Sequence, residues 1–116
     1  MNPLAKLIPL LFLILCSGCL EQPGVLVRIK NVSAYRFDDI SINNVSFGQL
    51  DPQITSHYLP FESINENEFI VVRVEDRTFQ LLPEHFETQE FYSNGKFKYV
   101  LNLTERFGLS SHFIPE

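Results

Sequence analysis

Residues 69–74 read Phe-Ile-Val-Val-Arg-Val, the most apolar stretch of the chain after its first twenty residues, and their β-branched side chains suit a buried central strand. The flanking sequence has a period of two. Upstream, residues 25–32 place Val25, Val27 and Ile29 on one face and Arg28 and Lys30 on the other, the alternation of a half-buried strand. Downstream, Phe97, Tyr99, Leu101 and Leu103 alternate behind Ser93-Asn94-Gly95, the clearest hairpin turn in the chain.

Further strands complete the pattern. Residues 37–47 alternate through Ile40 and Ile42, with Asn43-Asn44 bending or bulging the run and Gly48 and Asp51-Pro52 closing it. Residues 55–61 form a third strand, and the polar stretch 62–68 is a connection leading into the central run. Glu75-Asp76-Arg77 turns the chain into residues 78–82 as a hairpin partner, Pro83 to Glu87 fits one helical turn, and residues 109–114 close the sheet. Eleven Phe against no Trp and one Met fit a core of rings and β-branched residues. The expected fold is all-β: a small immunoglobulin-like or transthyretin-like antiparallel sandwich of six or seven strands over residues 25–116.

The first residues carry a different message. Met1 to Lys6 supplies one positive charge, residues 7–15 are almost wholly apolar, and Cys16-Ser17-Gly18-Cys19 follows before the chain turns polar. This is the three-part layout of a secretory signal, and the apolar part is far shorter than the ~20 residues that span a bilayer. Its end resembles the bacterial lipobox, in which small residues precede a cysteine that is acylated on sulfur before the leader is cut. Ser17 and Gly18 occupy the small positions, and Cys16 stands where the family usually has an aliphatic residue.

The resemblance implies that residues 1–18 are a lipoprotein signal peptide, that Cys19 is the lipid attachment site, and that residues 19–24 are a short tether. At ~3.3 Å per residue that tether reaches at most about 20 Å, which keeps the domain near the membrane. Leu20 occupies the position where Asp marks inner-membrane retention in such lipoproteins, so the resemblance implies the outer membrane, facing periplasm or cell surface. Cys16 and Cys19 are the two cysteines of the chain, which leaves the folded body without a disulfide framework.

The body also resembles a group of small β-sandwich lipoproteins of Gram-negative bacteria that has no assigned activity. The residues carrying this likeness are Asn31-Val32-Ser33, Tyr35, Phe37-Asp38-Asp39-Ile40, Phe47-Gly48, Leu50, Ser56, Tyr58, Phe61-Glu62 and Asn94-Gly95-Lys96. With this bacterial reading, the Asn-x-Ser/Thr triplets at Asn31, Asn44 and Asn102 are strand and turn residues without sugar.

Candidate chemistry is sparse. A net charge of −5 and no basic cluster beyond Lys96 and Lys98 argue against nucleic acid. His57, His85 and His112 are not paired at metal-ligand spacing, and Glu84-His85-Phe86-Glu87 reads as a solvated face. Ser110, Ser111 and His112 lack a group to orient the imidazole. Asp38-Asp39 fits a strand entry or an edge-protecting charge better than an acid and base pair, and Glu62, Glu66 and Glu68 lack the ladder of a calcium loop. The expectation is a non-enzymatic envelope module, held to the membrane by its lipid and contacting an envelope partner, with no catalytic residue, cofactor or metal. The alternative is a small periplasmic hydrolase or metal-binding protein built on Glu84, His85 and Glu87.

Overall fold

The computed structural model describes residues 24–83 and 90–116. The expected leader, Cys19 and the expected tether up to Pro23 lie outside these residues, as do Glu84, His85 and Glu87 of the expected helical turn. Eight strands form among the described residues: β1 (Val25–Asn31), β2 (Phe37–Ile42), β3 (Val45–Leu50), β4 (Leu59–Phe61), β5 (Ile70–Val74), β6 (Arg77–Leu81), β7 (Lys96–Leu103) and β8 (Leu109–Pro115). They make two four-stranded sheets, a front sheet ordered β4-β1-β7-β8 and a back sheet ordered β3-β2-β5-β6. The all-β sandwich expected from the alternation is the architecture observed.

The core follows from that alternation. Val25, Val27 and Ile29 of β1 and Phe97, Tyr99, Leu101 and Leu103 of β7 turn inward from the front sheet. Phe37, Ile40, Ile42, Ile70 and Val72 meet them from the back sheet. Each such aliphatic or aromatic side chain removed from water contributes about 1.5–3 kcal/mol. The run at 69–74 supplies β5, which lies between β2 and β6 as its apolar character requires.

Three local expectations change. The run at 37–47 is a hairpin of two strands rather than one bent strand, which raises the strand number to eight. Asn43 and Asn44 have φ of 50° and 67° and make a two-residue turn, so Ile42 pairs with Val45. Asparagine tolerates this left-handed region, and two consecutive positive φ angles match the twist of a tight hairpin. The strand expected at 55–61 shrinks to β4, with Thr55 making a separate bridge to Lys30; Pro60 fits such a short edge strand.

The third change concerns Ser93-Asn94-Gly95, which does not close a hairpin. Tyr92 bridges Ile64, and Gly95 then swings the chain into β7. Both sides of β7 are already taken, by β1 in parallel and by β8 antiparallel, so the residues before the turn have no edge to pair with. The parallel pair also departs from the antiparallel sandwich expected. The turn at Glu75-Asp76 holds, with β6 starting at Arg77, and the Glu75 N–H donates to the Asp38 carboxylate at 2.7 Å.

Among the described residues the buried polar side chains are paired. Asn31, fully buried, donates to the Tyr35 and Leu50 carbonyls at 2.7 and 3.1 Å and accepts from the N–H and hydroxyl of Ser33 at 2.9 and 2.6 Å. These bonds tie the end of β1 to the chain entering β2 and to the end of β3. The buried Tyr99 hydroxyl donates to the Asn65 carbonyl and pins the 62–69 connection against the core. Burial pushes the Tyr99 phenol far above the ordinary tyrosine value.

Candidate functional site

The connection from β3 to β4 shapes a cleft between the sheets. After Leu50 the chain turns at Asp51-Pro52-Gln53, with Gln53 at φ 67°, and crosses from the back sheet to the front. It then runs beside β1: the Gln53 N–H donates to the Asn31 carbonyl at 2.6 Å, the Asn31 N–H to the Ile54 carbonyl at 3.1 Å, and the Ser56 N–H to the Ile29 carbonyl at 2.7 Å. The Ser56 hydroxyl accepts from the Ile29 N–H at 2.9 Å. The crossing segment stands off from β3 and leaves a cavity of about 360 Å³ between the two sheet edges.

Ser46, Phe47, Gln49 and Leu50 of β3 line one wall, and residues 54–57 with Leu59 line the other. Phe47 packs in a stacked pair with Phe61, ring centres 6.1 Å apart, and Ile54 is half exposed at the rim. Several polar groups here already have partners. Ser46 donates to Asp39 at 2.6 Å, Gln49 accepts from Arg36 at 2.8 Å, and Ser56 donates to the His57 carbonyl at 2.9 Å. Thr55 and His57 supply further polar groups to the same lining. The lining holds no Asp, Glu, Lys or Arg. It suits a neutral, part-apolar ligand.

A second cluster lies on the outer face of the front sheet. Glu116 accepts two hydrogen bonds from Arg28, at 2.9 and 2.6 Å, and a third from the Tyr58 hydroxyl at 2.9 Å. Arg28 sits over the Tyr58 ring at 4.7 Å, with Lys96 at 5.4 Å from the same ring and Lys98 at 3.9 Å from the carboxylate. The Arg28 hydrogen bonds hold the Glu116 carboxyl below its ordinary value. Loss of solvent around Tyr58, reinforced by Glu116, pushes that phenol up.

Those singled-out residues that fall among the described ones do not assemble into a reacting group. Asp38 serves the Glu75 N–H and Arg36, while Asp39 accepts from Ser46. Glu68 caps the Asn65 N–H at 2.9 Å and accepts from Asn43, which ties the 62–69 connection to the β2–β3 turn. Ser111 and His112 pair with successive residues of β7, Leu101 and Val100, and so point to opposite faces. No three His, Cys, Asp or Glu side chains converge among the described residues.

Sequence reasoning missed the cleft, apart from naming His57, because no local pattern marks the gap between two sheet edges. It also missed the pairing of Arg28 with Glu116, which are 88 residues apart. Among the described residues no helix is long and apolar enough to cross a membrane. Compared with models of known families and with curated proteins, the chain matches none.

Proposed function

We propose that this chain is a bacterial lipoprotein whose residues 1–18 are removed, whose Cys19 carries the lipid, and whose sandwich is a non-enzymatic binding or assembly module of the outer membrane. The likeness of the body to small Gram-negative β-sandwich lipoproteins belongs to the same proposal. The observation that carries the binding role is the cavity of about 360 Å³ between β3 and residues 54–59, uncharged, walled by Phe47, Leu50, Ile54 and Leu59, and offering Thr55 and His57 as hydrogen-bonding groups. Sites that capture ligands are concave and mostly apolar with a few placed polar groups, and this cleft has that character. Its position between two strand edges suits an extended, uncharged segment of an envelope partner.

The test has two parts. Cys19→Ala abolishes incorporation of labelled palmitate; label that persists in the variant removes the lipoprotein reading. Ile54→Arg sets a charge at the half-exposed rim of the cleft and leaves the buried core untouched. A partner co-purified with the acylated protein from its own envelope is lost in Ile54→Arg and kept in Gln80→Arg on β6. Equal recovery of that partner with both variants removes the cleft as its site.

A further inference from the structure

The parallel pairing of β1 with β7 brings together side chains that are far apart in sequence. Leu26 lies beside Lys96, Arg28 beside Lys98 and Lys30 beside Val100, all on the outer face of the front sheet. Four of the nine Lys and Arg of an acidic chain therefore share one face. Of its fourteen Asp and Glu, Glu116 is the one paired with them among the described residues. Residues 98, 100 and 102 of β7 continue in register with Ile114, His112 and Ser110 of β8, which widens the face without adding an acid.

This face is also where the chain arrives. Gly24 leads directly into β1, and the tether back to Cys19 reaches at most about 20 Å. At that end of the sheet, half-exposed Leu26, the Tyr58 ring, Arg28 and Lys96 lie together. Apolar, aromatic and cationic groups side by side are the composition of a surface that settles among lipid headgroups.

We infer that the outer face of the front sheet docks on a bilayer surface of anionic phospholipid. A lipid chain and a basic face are then two membrane signals acting within one strand of each other, which is the pairing that makes anchoring durable. Because β4 is an edge of the front sheet, a docked sandwich opens its cleft sideways, along the membrane. The inference takes the position of the anchor from the lipoprotein reading and its charge complementarity from the face alone.

The chain has no Trp, so single reporters can be placed without background. Leu26→Trp reports on the docking face and Gln80→Trp on the exposed side of β6 in the back sheet. Purified acylated protein is added to vesicles of phosphatidylcholine alone or mixed with phosphatidylglycerol, with brominated acyl chains as quencher. The expected result is salt-reversible quenching of the Leu26→Trp reporter that grows with phosphatidylglycerol, and none at Gln80→Trp. Lys30→Gln and Lys96→Gln each lower the ratio of docked to undocked protein about fivefold.

Retention on both vesicle types with equal quenching of the two reporters overturns the docking face and leaves the anchor standing. Retention on anionic vesicles alone, with the face quenched, supports the docking face and removes the anchor. Failure to bind either type overturns both. Protection of Leu26→Trp by a dissolved anionic polysaccharide, with no response to phosphatidylglycerol, overturns the lipid surface in favour of a glycan.

Discussion

Tyr99→Phe deletes one oxygen from the centre of the sandwich and leaves the ring in place. Tyr99 is fully buried, its ring centre lies 5.1 Å from that of Phe113, and its hydroxyl donates to the Asn65 carbonyl. Asn65 is itself buried, and the Tyr99 hydroxyl is its carbonyl's hydrogen-bond donor among the described residues. Without the hydroxyl a buried acceptor goes unpaired, which costs about 1–3 kcal/mol. The denaturant slope for a domain of this size is about 1 kcal/mol/M in urea, so the unfolding midpoint falls by about 1–3 M with an unchanged slope.

The damage also has an address: amides of residues 64–67 exchange faster while those of β1 and β7 stay protected. A pH signature accompanies it. The folded phenol is raised above its ordinary value of 10.0, so its contribution is complete below that value and declines once the pH passes it, as the unfolded chain ionises. Tyr99→Phe lacks that alkaline decline. Tyr58→Phe, on the outer face, changes stability by no more than about 0.5 kcal/mol. A Tyr99→Phe midpoint within about 0.2 M of the parent refutes the claim that this bond holds the connection to the core.

Two further predictions concern the front sheet. Glu116 has a carboxyl held below its ordinary value of 4.5, so the Arg28 clamp is in force above 4.5 and is lost as pH falls through the lower folded value. Amides of residues 113–116 accordingly lose protection in acid, whereas in Glu116→Gln their protection is weaker throughout and flat across that window; an identical acid profile in the variant removes the clamp. Gly24 has φ 130°, and a Cβ there would overlap the Phe61 carbonyl oxygen. Gly24→Ala therefore strains the start of β1 and its pairing with β4 by about 1–3 kcal/mol, read as a lower melting temperature, and an unchanged melting curve rejects that packing.

What the sequence made legible was local. A period of two and β-branched residues mark β1, β5 and β7, because facing a core on one or both sides imposes that pattern along a single strand. Long-range pairing leaves no such mark. Asn43-Asn44 and Asn94-Gly95 both carry turn residues, yet only the first closes a two-residue hairpin, since β7 spends both edges on β1 and β8. The placement of the candidate site is less legible still. The cleft exists because residues 51–56 cross between sheets and exchange hydrogen bonds with β1, and Arg28 meets Glu116 because β1 lies against the β7–β8 hairpin. Lys96 and Lys98 alone looked like an ordinary solvated strand face; the parallel neighbour adds Arg28 and Lys30 and turns it into a basic surface.

The anchor at position 19 underlies both the proposed module and the docking face. Intact-mass and peptide spectrometry of protein extracted from bacterial membranes addresses it most directly. The account predicts a chain whose first residue is Cys19, bearing a diacylglycerol thioether, with residues 1–18 absent. A free thiol on Cys19, or a leader still joined to the sandwich in membrane-extracted protein, contradicts it.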